Sequence, residues 1–249
     1  MYHIKLDRLP YQLTDYEKDE MRRVFSVVMK PLAFSAKENF VENLFNTDIL
    51  IRIFSDSDKR LVGFGNVKIR ESAGIRVRHV FTIYVSPAHR GHNLSVRAVA
   101  KALRSEAVRN MLCIFKPLYV TGSSANPMTV LSLARRTTVW PDLLRGTPPP
   151  PEVERIASDT AQRFYPKVGD KPFQVLITPE FANVRDDGDV QKTDNENFNQ
   201  RFYEIADPNE LKLLLFVAKI TFRDIASSFV EEIRQSLSSP RQARARAAS

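Results

Sequence analysis

Apolar positions recur along this chain with two different periods, and the switches between them mark its elements. His3 to Leu6 reads as a short strand closed by Pro10, and Thr14 then stands three residues before Glu17, the spacing of a helix capping box. Met21, Val24, Phe25 and Val28 follow at i, i+3, i+4 and i+7, so a first amphipathic helix is expected, ending before Pro31. Ser35 and Glu38 repeat the box ahead of Phe40, Val41, Leu44 and Phe45, which predicts a second helix.

From Ile49 the pattern becomes strand-like. Ile49 to Phe54, Leu61 to Ile69 and Arg76 to Val85 are rich in β-branched residues and are separated by the turn-forming segments SDSDK and ESAG. Short connections of this kind predict an antiparallel meander. Ser95 to Leu112 returns to helical spacing, with Val96, Val99, Ala100, Leu103 and Ala107 on one stripe and Arg97, Lys101 and Arg104 on a solvated one. Leu118 to Gly122 reads as a strand, and Asn126 and Pro127 start a short helix, Met128 to Arg135. The expected class is α/β (α+β): a mixed, mostly antiparallel twisted sheet flanked by helices.

The second half is less regular. The prolines that precede Glu152 favour an extended segment, a linker or strap. Glu152 to Tyr165 has a helical stripe, Phe173 to Thr178 a strand pattern, and Asp186 to Asn199 the composition of a loop. Arg201 to Ala206 is read as a further strand, and Leu211 to Ile220 as a buried strand rather than a helix because its apolar run is nearly unbroken. A C-terminal helix follows from Phe222 to Ile233. Residues 1–140 are expected to form the core domain, 141–239 to pack on it and complete its sheet, and 240–249 to be a disordered basic tail.

Candidate chemistry concentrates in VSPAHRGHNLS, Val85 to Ser95. A strand that turns through Arg90, Gly91 and Asn93 into a helix aims free backbone N–H groups and the positive end of the helix dipole at one point, which makes an anion site and most simply a phosphate site. The formal net charge of +8 and pI near 9.6 agree with an anionic partner without identifying it. The single cysteine, Cys113, excludes an internal disulfide framework and Cys-rich zinc sites, and His3, His79, His89 and His92 show no metal-ligand spacing, so no metal is expected. No run is long and apolar enough for a membrane span, and a soluble, cytoplasmic protein is expected.

Val85, Pro87, Arg90 and Gly91 match V-x-P-x-x-R-G, and with Asn126 after the next strand and the order of elements from His3 to Arg136 they resemble the GNAT superfamily of acyl-CoA N-acyltransferases. The resemblance covers a little over half of the chain. It implies an acyltransferase that moves an acyl group, acetyl by default, from acetyl-CoA or another acyl-CoA to an amine by direct attack. It implies that Val85, Arg90, Gly91, His92, Asn93, Leu94 and Ser95 hold the coenzyme, that Asn126 bonds its pantetheine arm, and that backbone groups of Tyr84 and Val85 hold the oxyanion. His79 is the first candidate for the base, because an unperturbed imidazole titrates near neutrality, with Tyr84 and Tyr119 as alternatives.

The chain departs from the family pattern in three places. Asn93 and Ser95 stand at positions usually small or glycine, and asparagine is the residue besides glycine that best tolerates a left-handed backbone. Leu133 stands where many members carry a tyrosine that acts as general acid. These substitutions are what a non-catalytic or degenerate CoA-binding protein would show, and a variant of the transferase reading takes an acyl carrier protein as its donor. The acceptor is expected to be a small-molecule or peptide amine. Arg135 and Arg136 are candidates for the adenosine phosphate, and nucleic acid is not the expected partner.

Overall fold

The computed structural model describes residues 2–28, 47–72, 74–109, 116–177 and 192–227. The expected second helix, Ser35 to Phe45, lies outside these residues, as do Cys113 and the basic tail.

A single mixed sheet organises the described chain. Its strands are β1 (Tyr2–Arg8), β2 (Ile49–Ser55), β3 (Leu61–Ser72), β4 (Ile75–Val85), β5 (Leu118–Ser124), β6 (Thr138–Trp140), β7 (Lys167–Val168), β8 (Gln174–Leu176) and β9 (Lys212–Ile220). They lie in the order β1-β2-β3-β4-β5-β9-β8-β7, and β6 pairs with the other end of β9. The β4–β5 pair is parallel and every other pair is antiparallel. The unbroken apolar run of β9 is explained by its central place, with Leu214 to Ala218 buried between β5 on one side and β6 and β8 on the other.

Helices cover both faces. α1 (Asp15–Val28) opens on the predicted capping box: the Thr14 N–H donates to Glu17 Oε2 at 3.0 Å, and the Glu17 N–H donates back to Thr14 Oγ1 at 3.3 Å. Its Met21, Val24 and Phe25 pack on Leu50, Leu61, Phe64 and Tyr84. On the opposite face α2 (Leu94–Arg109) lays Leu94, Ala98 and Ala102 against Ile49, Ile51, Ile53, Val62 and Val85. The small residues of that stripe let the helix approach the sheet closely. α3 (Pro127–Ala134) and α5 (Glu196–Ile205) extend this layer over β5, β6 and β9, while α4 (Pro151–Phe164) covers β9, Tyr119 and Trp140 on the α1 side.

Two ionic networks fasten these layers. Arg52, 4% exposed, reaches from β2 to Asp7 of β1, with Nε to Oδ2 at 2.6 Å, and to Glu17 of α1. Glu106 of α2, 2% exposed, takes Arg8 of β1 and stands 3.6 Å from Arg78 of β4. Lys101, read from the sequence as part of a solvated stripe, is exposed and also donates from Nζ to the Ile4 carbonyl at 2.7 Å, tying α2 to the edge strand.

The structure corrects one element. Of residues 201–206, expected as a strand after a loop ending at Asn199, 201–205 instead belong to α5, which starts at Glu196, and Ala206 is its extended C-cap. Asn195 caps that helix by accepting from the Phe198 N–H at 3.0 Å, and Phe198 and Phe202, one turn apart, are buried against Leu131 and Leu214. The segment's aromatic spacing is helical once the Asn cap is recognised. The C-terminal helix is described over 222–227, where Thr221 and Asp224 bond reciprocally at its start.

Candidate functional site

β4 and β5 part company midway. They pair only from Val77↔Tyr119 to Val80↔Gly122, and both strands then run on, β4 to Val85 and β5 to Ser124. The cause is local. The β3–β4 register shifts between Asn66 and Val67, pairing Asn66 with Thr82 and Val67 with Val80, so that Phe81 is the extra residue of a β-bulge. A bulge bends its strand and increases twist, and here it turns the end of β4 away from β5 to open a fork in the sheet.

The register also fixes which backbone groups look into that fork. The Ser86 N–H donates to the Val62 carbonyl at 2.8 Å, so Ser86 faces β3. By the two-residue alternation of an antiparallel ladder Tyr84 also points its backbone groups at β3, whereas Ile83 and Val85 point theirs toward the fork. The Tyr84 N–H, expected to hold an oxyanion, thus faces β3, and the N–H groups that face the fork are those of Ile83 and Val85. The Tyr84 side chain is packed between Phe25 and Phe64, with ring centroids 5.3 and 5.4 Å away.

The mouth of the fork is the loop from Ser86 to Asn93. Gly91 has φ +82° and Asn93 φ +54°, the left-handed conformations that two exposed turn residues must adopt to bring the chain into α2. A Cβ at Gly91 would meet nothing within 4 Å, so its constraint is conformational and not one of space. Asn93 precedes the first residue of α2 and its carbonyl accepts from the Arg97 N–H at 3.0 Å, which leaves the N–H groups of the first turn, at Leu94, Ser95 and Val96, at an open helix N-terminus. Arg90 is exposed, with Nε 3.4 Å from the Val85 carbonyl. The Tyr2 hydroxyl bonds His89 Nδ1 at 3.1 Å, and its ring stands edge-on to His92 at 5.2 Å, so the edge strand steadies the loop. His92 Nδ1 donates to the Arg90 carbonyl at 3.1 Å.

On the other wall, the Asn126 side-chain oxygen accepts from the Met128 N–H at 2.9 Å and caps α3. Ser124 Oγ donates to the Asn126 carbonyl and accepts from its N–H, both at 3.0 Å, which fixes the turn out of β5. Arg135 is drawn to Asp194 at 3.3 Å. Leu133 packs with the apolar cluster of Val130, Leu131 and Phe198.

At the apex of the fork lies His79, and its surroundings do not suit a base. It is 1% exposed, stacked on Phe164 with centroids 4.4 Å apart, edge-on to Phe81 at 4.5 Å, and held at Nδ1 by Thr121 Oγ1 at 2.8 Å. Burial, helped by the nearby Lys68 ammonium, pushes its pKa down to about 3. The imidazole is thus a neutral structural group at any ordinary pH. Tyr119 lies in the closed part of the sheet, where its hydroxyl donates to Glu152 at 2.6 Å and burial and that carboxylate push its pKa up. Residues that sequence reasoning passed over are Ile83, Thr121, Ser123, Phe164 and Tyr165. Only the bulge and the packing of α4 bring them to the fork.

Residues 12–122 match the model of the acetyltransferase (GNAT) family. This segment is a GNAT-family domain. It holds the bulged strand and the whole loop into α2, with Val85, Pro87, Arg90 and Gly91, whereas Asn126, the other residue on which the resemblance rests, lies just beyond it. Solved structures similar to the chain include a GNAT family acetyltransferase from Brucella melitensis in complex with acetyl-CoA, 14% identical over 47% of this chain and 75% of that one, TM-score 0.35. Another is ribosomal-protein-alanine N-acetyltransferase from Brucella melitensis biovar Abortus 2308, 21% identical over 45% and 74%, TM-score 0.33. Aminoglycoside N-acetyltransferase AAC(6')-Iy in complex with CoA is 14% identical over 55% and 86%, TM-score 0.37. At these scores the likenesses carry no weight on mechanism. No curated protein matches the sequence. The matched segment ends inside β5, at Gly122, yet β9, some ninety residues further on, pairs along the whole of β5 from Leu118↔Ile220 to Ser124↔Leu214.

Among the described residues no group of three His, Cys, Asp or Glu is placed to hold a metal ion, and no helix is long and apolar enough to cross a membrane.

Proposed function

We propose that this chain transfers an acyl group, acetyl by default, from acyl-CoA to an amine. The observation that carries the reading is the fork itself: strand backbone groups at Ile83 and Val85 facing an opening whose mouth is a left-handed loop running into a helix N-terminus. In that reading the N–H groups from Gly91 to Ser95, with Arg90, take the pyrophosphate, because amides already ordered by the loop cost little to organise around an anion. The amide NH2 of Asn126, its oxygen being used in the cap, donates to the pantetheine arm, and Val85 pairs with that arm as a strand would. The Ile83 N–H polarises the thioester carbonyl, and the negative charge that grows on that oxygen during attack meets a fixed donor. With His79 kept neutral and buried, the amine enters as its free base and sheds its proton to solvent.

In this proposal residues 1–140 carry the coenzyme site, 141–239 complete the sheet through β7 to β9, and the location is cytoplasmic, which the sole cysteine suits. The acceptor is a small-molecule or peptide amine. An acyl carrier protein presents the same pantetheine arm, and the exposed Arg90 and His92 at the mouth suit an acidic carrier. Isothermal titration with acetyl-CoA tests the reading: binding is expected for the natural chain and a sharp loss for Arg90→Glu, and absence of binding to acetyl-CoA and to longer acyl-CoAs overturns it. Competition by acylated carrier protein but not by CoA identifies the carrier as donor.

A further inference from the structure

A coenzyme held by the loop into α2 and by Asn126 at the start of α3 enters the fork from the layer of those two helices. An amine that attacks its thioester directly is left the other face of the sheet, the one covered by α1 and α4. On that face, beside the apex, lies Lys68 of β3. It stands directly opposite His79 of β4 in the register, so the two side chains share a face, and Phe164 of α4, stacked on His79, shows which face it is. The Lys68 Nζ sits 5.3 Å from the ring centroid of Phe81, the bulge residue at which the fork begins.

Its surroundings set this lysine apart. Lys5, Lys18, Lys212 and Lys219 each stand beside a carboxylate, and Lys101 donates to a carbonyl. Among the described residues Lys68 has neither an ion pair nor a hydrogen bond. Its half-buried ammonium rests against an aromatic ring with all three N–H donors unspent on the protein. Phe81 in turn meets Phe164 edge-on at 5.0 Å. His79 Nε2, buried in the same corner, also has no hydrogen-bond partner. The corner thus holds two polar nitrogens that the fold leaves unmatched, next to two aromatic rings.

The spacing suits a small molecule. Phe81 precedes Ile83, whose N–H looks into the fork, by two residues, about 7 Å of strand. A hydrogen bond from the ammonium takes about 3 Å of that, and the remainder is of the order of the separation between carboxylate and amine in an amino acid. One ammonium matches the single charge of a carboxylate, and the rings offer apolar surface to a side chain. Resting on the acyltransferase reading above, we propose that Lys68 determines the acceptor by binding the carboxylate of a free amino acid whose amine takes the acyl group. The edges of Phe81 and Phe164 receive that amino acid's side chain. A peptide has no free carboxylate on the α-carbon that bears its terminal amine, and so lacks the group that Lys68 selects. In the transfer the amine nitrogen bonds to the acyl carbon, and the carbon–sulfur bond breaks with its electron pair on sulfur. The proton lost by nitrogen passes through water to the thiolate.

Product binding tests this without turnover. The protein saturated with CoA is titrated calorimetrically with N-acetyl derivatives of the common amino acids and with the matching N-acetyl amines, which lack only the carboxylate. The natural chain, Lys68→Met and Lys68→Arg are compared. At least one N-acetyl amino acid is expected to bind the natural chain about 10-fold tighter than its amine. Lys68→Met is expected to erase that preference while leaving the affinities for the amine and for CoA unchanged, and Lys68→Arg to keep it. A lysine that merely packs on Phe81 would change both affinities together or neither. If no pair shows the preference, or if Lys68→Met keeps it or weakens both ligands equally, the proposal is overturned and the coenzyme site stands. Should CoA itself not bind, the coenzyme reading fails and takes this proposal with it.

Discussion

His79 Nδ1 lies 2.8 Å from Thr121 Oγ1, a side-chain bridge across the next-to-last rung of the β4–β5 ladder. It closes the sheet just below the fork, and the stacked Phe164 ring seals it from water. The bond holds the two strands together where the bulge at Phe81 begins to drive them apart.

The buried imidazole links stability to pH. Its folded pKa is depressed from 6.5 to about 3, so the unfolded chain binds one proton more between those values. The contribution is fully present above pH 6.5 and is lost as pH falls toward 3, with a slope of up to about 1.4 kcal/mol per pH unit. Denaturant titrations between pH 7 and 5 are expected to show this slope, and His79→Gln to flatten it. An equal slope in the variant would show that the imidazole is not the linked group.

For the rate, a neutral His79 that never titrates in the working range leaves the acceptor's own ionisation in control. The kcat/KM profile is expected to rise with pH toward the pKa of the amine used and to show no inflection near 6.5. An inflection there that disappears in His79→Gln would restore the imidazole as the base.

In the loop, Asn93 at φ +54° is predicted to accept glycine with little change in acyl-CoA affinity. Asn93→Val forces a β-branched residue into that conformation at a cost of about 1–2 kcal/mol, close to a tenfold loss of affinity by titration calorimetry. Equal affinities for the two variants would mean that the left-handed turn is not needed for coenzyme binding.

Arg52 is 4% exposed and serves Asp7 and Glu17 together. Arg52→Ala removes the buried cation that the two carboxylates share, leaving Asp7 with Lys5 and Glu17 with Thr14, and is expected to cost about 3 kcal/mol of unfolding free energy in urea. Glu17, whose carboxyl is held below its usual value by hydrogen bonds from Arg52 and Thr14 against the opposing effect of burial, adds stability that is lost as pH falls below 4.5. Arg52→Ala should remove most of that acid sensitivity.

Gly122 marks the last closed rung, and a Cβ there would sit 2.8 Å from Phe216 Cζ and 3.1 Å from the Val80 carbonyl. Gly122→Ala is expected to destabilise by about 1–3 kcal/mol through overpacking. Phe216→Leu, which removes the ring atoms in the way, should recover part of the loss in thermal melts of the double variant.

What the sequence determined by itself is what short-range chemistry dictates. The Thr14–Glu17 box, the asparagine caps at Asn126 and the left-handed Asn93 depend on residues within a turn of each other, and each is legible because its partner is close in sequence. The apolar run of β9 revealed a buried strand for the same reason, since burial on both faces removes alternation. The tertiary structure decided everything that depends on which elements meet. His79 had the composition of a base, but Phe164, far along the chain, desolvates it. The backbone of Ile83 rather than Tyr84 faces the fork because the β3–β4 register, shifted by one extra residue at Phe81, sets the N–H directions. Tyr165 carries no local signal of its place either: only the packing of α4 stands its ring 5.8 Å from His79.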